Sequence, residues 1–96
     1  MNLSVKYLAL FDRKCHTQGY RFRNGQYAVL TKRAAYQNKQ LDLYPDVLHR
    51  VCPTGLKGIL LVRPQGWRED IYMSTKCFRP ALPEEIEKGG RLEVIT

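Results

Sequence analysis

A chain of 96 residues with 44% apolar and 26% charged positions has the balance of one soluble globular domain, which excludes a disordered tail or linker. Sixteen Lys and Arg against nine Asp and Glu leave a net charge of +7, so polyanions or acidic protein surfaces are the favoured partners. No stretch reaches membrane-spanning length, no secretory signal is readable after Lys6, and three irregularly spaced cysteines suit a reducing compartment. The expectation is a cytoplasmic protein with no membrane partner.

Residues 3–11 have strand composition, with Val5, Tyr7, Ala9 and Phe11 on one side and Leu8 and Leu10 on the other, as in an interior strand. Residues 12–19 are polar and end in Gly19, which reads as a loop. Residues 20–30 form two alternating runs joined by Asn24-Gly25, a dipeptide suited to a type I′ turn because both central residues take positive φ. That register sets Phe22 opposite Tyr27 and Tyr20 opposite Val29, and leaves Arg21, Arg23, Gln26 and Ala28 on the other face. Thr31 is placed to cap a helix over residues 32–40, whose thin apolar stripe of Ala34, Ala35 and Tyr36 predicts light docking.

Residues 41–52 fit a short helix, with Pro45 in its first turn, Leu43, Val47, Leu48 and Val51 on one face, and Pro53 ending it. Pro53-Thr54-Gly55 makes a turn, residues 57–62 a central strand, and Arg63-Pro64-Gln65-Gly66 a type I turn. Residues 67–78 alternate Trp67, Ile71, Met73 and Cys77 against Arg68, Asp70, Ser74 and Lys76, completing a second hairpin. Pro80 and Pro83 break the sheet. Residues 83–88 begin with proline and acids, end in Lys88 and precede Gly89, which predicts a short helix; residues 92–95 close the chain as an edge strand. The sum is a small α+β domain spanning residues 1–96: a mostly antiparallel sheet of five or six strands with two or three short helices.

Charge is unevenly placed. Between Arg13 and Leu41 stand seven basic residues and no acid, while Glu84, Glu85, Glu87 and Glu93 crowd the other end. The arginines of the first hairpin, with Lys32 and Arg33, form a cationic surface suited to phosphate or carboxylate, against the plainer reading of a solvated strand face. Tyr36 is the ring best placed for stacking, since the alternation sends Tyr20, Phe22 and Tyr27 inward. Trp67, between Arg63 and Arg68, is either a core plug or an interface anchor. Cys15, His16, His49, Cys52 and Cys77 could supply a zinc site, but without a Cys-x-x-Cys pair no metal is expected. No motif positions a nucleophile, no Gly-rich phosphate loop is present, and no cofactor is expected.

Residues 19–30, Gly-Tyr-Arg-Phe-Arg-Asn-Gly-Gln-Tyr-Ala-Val-Leu, resemble the central hairpin of RelE-type ribosome-dependent mRNA interferases, small basic toxins that cut RNA without metal. The resemblance covers twelve of 96 residues. That family places a pair of helices before the hairpin, where a strand and a loop are expected here, and no catalytic residue carries over.

The sequence thus predicts a non-enzymatic module that binds nucleic acid, DNA or RNA, through Arg21, Arg23, Lys32, Arg33 and Tyr36. The alternative is a modulator or inhibitor, of the kind phages and mobile elements encode, that docks on a host nucleic-acid-processing protein through Arg63, Trp67 and Arg68. A metal-free ribonuclease of toxin type is the third reading.

Overall fold

The structure is a computed structural model that describes residues 5–40 and 46–92. Helix α1 (Val5–Gln18) leads into strand β1 (Gln26–Leu30), helix α2 (Lys32–Gln40), strands β2 (His49–Pro53), β3 (Ile59–Pro64), β4 (Ile71–Ser74) and β5 (Phe78–Pro80), and helix α3 (Pro83–Lys88). The strands form one curled antiparallel sheet in the order β4-β3-β2-β1-β5, the α+β architecture expected from the sequence.

Cross-strand partners share a face, so the register sorts the side chains. Ala28 and Leu30, His49 and Val51, Leu60 and Val62, Ile71 and Met73, and Phe78 all lie on one side. They bury there with Phe22 and with Ala34 and Ala35 of α2. Tyr27, Arg50, Cys52, Leu61, Arg63 and Tyr72 lie on the other side, together with Val29 and Arg79. Among the described residues, only the end of that second face nearest β5 is closed.

A buried ionic cluster closes it. Arg79 donates through Nε to Asp12 of α1 at 2.8 Å and through both terminal amino groups to Glu85 of α3 at 2.6 and 2.9 Å. Arg91 reaches the Leu30 carbonyl and approaches Asp12 at 3.5 Å. All four side chains are buried. Glu85 also accepts the N–H groups of Leu82 and Leu92, each at 3.0 Å, so its carboxylate is fully hydrogen-bonded.

The caps legible in the sequence form. Thr31 Oγ1 accepts from Ala34 N at 3.3 Å at the head of α2, and Gly89 takes the left-handed conformation that ends α3. Other expectations are overturned. The strand expected over residues 3–11 and the loop over 12–19 give way, within the described residues, to one helix from Val5 to Gln18; residues 3 and 4 lie outside the described part. Among its described side chains, Phe11, Asp12, Cys15 and His16 turn inward, a helical spacing, and Gly19 at φ +80° donates to the Cys15 carbonyl as its stop.

The hairpin of residues 20–30 also fails to form. Residues 20–23 are outside any strand, and β1 pairs with β2 and β5. Phe22 leaves the strand path to enter the core, and Ala28 and Leu30 point inward while Tyr27 points out, the reverse of the expected faces. The segment behind the RelE-type resemblance therefore lacks the hairpin it was matched on.

Within 41–52, residues 41–45 lie outside the described part, and the helix expected over 41–52 gives way to a strand from His49 to Pro53, where burial alternates with period two from His49 to Cys52. The turn expected at residues 63–66 is displaced by one: Trp67 N donates to Pro64 O at 3.0 Å, with Gly66 at φ +89° in the third position. The strand of residues 67–78 reduces to Ile71–Ser74, followed by a 3₁₀ turn over Thr75–Cys77 that Ser74 caps. The closing strand of 92–95 falls almost wholly outside the described residues.

Candidate nucleic-acid interface

Residues 23–26 make a tight turn at the head of β1. Gln26 N donates to the Arg23 carbonyl at 3.2 Å, and Arg23 N donates to Gln26 Oε1 at 2.9 Å. Gly25 sits at φ +78°, where any side chain would be strained, and its N–H donates to the Val51 carbonyl at 2.9 Å. The turn is thereby tied to β2. Behind it, Phe22 is held in the core, with Tyr20 packed on it edge-on at 5.1 Å and Phe11 on Tyr20 at 6.4 Å. Aromatic packing thus takes over the role the sequence gave to a strand.

Arg50, on β2, faces the same turn. Its Nε donates to the Gly25 carbonyl at 3.3 Å, and its guanidinium lies over the ring of Tyr27, 5.2 Å from the centroid. Tyr27 is its cross-strand partner, so this contact follows from the register. Arg21 and Arg23 line an open cleft of about 420 Å³ with Tyr20, Asn24, Gly25 and Gln26. Among the described residues, no ion pair joins Arg21, Arg23 or Arg50 to a carboxylate. Three arginine forks therefore gather at one rigid turn with their charge unneutralised, an arrangement that suits bidentate binding of phosphate.

The other expected residues lie elsewhere. Lys32 and Arg33 open α2, and Tyr36, 54% exposed, follows one turn later. They stand beyond the far end of β1, which from Gln26 to Leu30 separates them from Arg23 by about 13 Å. The five residues expected to act as one surface are thus two groups. Arg63 projects from β3 and pairs with Asp70 at 2.8 Å, Trp67 is half-buried beyond the Pro64 turn, and Arg68 is exposed. His49 and Cys52 fall on opposite faces of β2, and no His, Cys, Asp or Glu cluster among the described residues could hold a metal.

Two contributors went unseen in the sequence, Arg50 and the outward Tyr27. The alternation His49 in, Arg50 out, Val51 in was the available signal, and the helical spacing of Val47, Leu48 and Val51 masked it. Comparison of the chain with protein-family models, curated proteins and solved structures gives no match. The functional reading therefore rests on the site alone.

Proposed function

We propose that this protein is a non-enzymatic module that grips the phosphate backbone of nucleic acid through Arg21, Arg23 and Arg50, with Lys32 and Arg33 as a second contact beyond β1. One observation carries the reading: these three guanidinium groups stand around a hydrogen-bonded turn with no neutralising carboxylate among the described residues, whereas Arg79 and Arg91 are buried against Asp12 and Glu85. Little side-chain order has to be created on binding, because Arg50 is already pinned by Gly25 and Tyr27. Three free cysteines fit a reducing, cytoplasmic setting. The surface of Arg63, Trp67 and Arg68 supports docking on an acidic protein less well, since Asp70 already offsets Arg63.

Such binding is salt-dependent, each phosphate contact contributing a log–log slope of about 0.9 on duplex and about 0.7 on a single strand. Changing Arg21 and Arg23 together to Ala is expected to weaken binding and flatten that slope by roughly 1.4 to 1.8. An unchanged slope in a folded double variant would remove this turn from the interface.

A further inference from the structure

Beside the basic turn, no described element covers the sheet face opposite the core over β2, β3 and β4. Two cross-strand rows occupy it: Tyr27, Arg50 and Arg63 in one, and Cys52, Leu61 and Tyr72 in the next. Tyr72 is 71% exposed and Tyr27 37%, while Leu61 and Cys52 between them are half-buried. The rings stand on β1 and β4, three interstrand spacings or about 14 Å apart, so one base cannot touch both. Arg50 lies between them with its Nε and one side of its guanidinium engaged.

From this placement we propose, resting on the phosphate-binding reading above, that the ligand is single-stranded nucleic acid whose unpaired bases stack on Tyr72 and Tyr27 while its phosphates run past Arg50 to the Arg21–Arg23 turn. A duplex keeps its bases stacked on one another and shows only their edges, so rings on an open sheet gain nothing from it; an unpaired strand presents the flat faces that these rings fit. The complementary charge is supplied by Arg50 and the turn, since Asp70 offsets Arg63. An exposed tyrosine on an edge strand carries little of the fold, which makes Tyr72 the residue to change.

The test is fluorescence anisotropy with labelled oligothymidylate and oligouridylate of about a dozen nucleotides, and a duplex of matched length, titrated with the full chain. Single strands are expected to bind more tightly than duplex, and oligodeoxyuridylate, which differs from oligouridylate only at the 2′ position, identifies the preferred sugar. Tyr72→Ala should weaken single-strand binding about tenfold and leave the salt slope in place, while Tyr72→Phe, which keeps the ring, should retain affinity. Equal affinity for duplex and single strand, or a Tyr72→Ala protein that binds as well as the parent, overturns the inference while leaving the phosphate grip intact. Absence of binding to every probe overturns both. Sedimentation showing a dimer that Tyr72→Ala splits into monomers would give this face to a second copy of the chain and overturn the inference as well.

Discussion

His49 gives the structure a pH dependence whose size can be worked out. Its ring is 2% exposed, packed edge-on against Phe78 at 5.0 Å, with Nδ1 donating to the Val47 carbonyl at 3.0 Å. Burial disfavours the charged ring more than the Val47 carbonyl favours it, and the pKa falls from 6.5 to about 4. The unfolded chain therefore takes up the proton at higher pH than the folded one. The stabilisation is whole above pH 6.5 and is lost as pH falls toward 4, reaching about 3 kcal/mol, of which about 2 is gone by pH 5. Urea unfolding at pH 7 and pH 5 should show this loss in the parent. His49→Gln, which keeps an N–H donor and does not titrate, should lose far less between the same two pH values, whatever its absolute stability. Equal losses in both proteins would refute the assignment. The same window matters for binding assays, because weaker retention at pH 5 would report the fold and not the arginines.

Two more substitutions probe the frame that holds the site. A Cβ on Gly90 would lie 2.3 Å from the Asp46 carbonyl oxygen, where Gly90 bridges to Val47, so Gly90→Ala should cost about 2 kcal/mol or more in urea unfolding. A variant as stable as the parent would show that this backbone contact can relax freely. Burial pushes the Glu85 carboxyl toward its neutral form, but the Arg79 fork and the N–H groups of Leu82 and Leu92 outweigh it and hold the group below the ordinary carboxylate range. That stabilisation is present above the ordinary range and lost in acid below it, a window lower than that of His49. Glu85→Gln leaves Arg79 buried with one carboxylate fewer and should cost about 3 to 5 kcal/mol, read as a lower urea midpoint; an unchanged midpoint would contradict a structural role for the pair.

What could be read from the sequence was local. Thr31 before α2 and Pro83 through Gly89 around α3 carry their own start and stop chemistry within a few residues, and both helices form as expected. The first helix carries no such label: Leu8 to Phe11 is an unbroken apolar run with no period, and Asp12, its most informative position, reads as a loop residue until Arg79 is known to face it. The two are 67 positions apart, beyond any window of periodicity. The first hairpin failed for a related reason. Asn24-Gly25 does turn the chain, but a turn fixes only its own residues, and the partner of β1 was decided by Val51 accepting the Gly25 N–H. Arg21 and Arg23 do stand at one turn, though on no hairpin, and Arg50 could not be placed beside them until β2 was recognised as a strand.

The buried cluster also bears on how a scan of the arginines must be interpreted. Asp12, Arg79, Glu85 and Arg91 sum to zero charge, so the net +7 belongs entirely to the rest of the chain. Replacing Arg79 or Arg91 strips a partner from a buried carboxylate and removes folded protein, which in a retention assay imitates the loss of a binding residue. Arg21 and Arg23 are exposed, without a carboxylate partner among the described residues, and their replacement leaves nothing buried unsatisfied. A loss of binding at those two positions with an unchanged urea midpoint is therefore a statement about the interface, and the same loss at Arg79 is not.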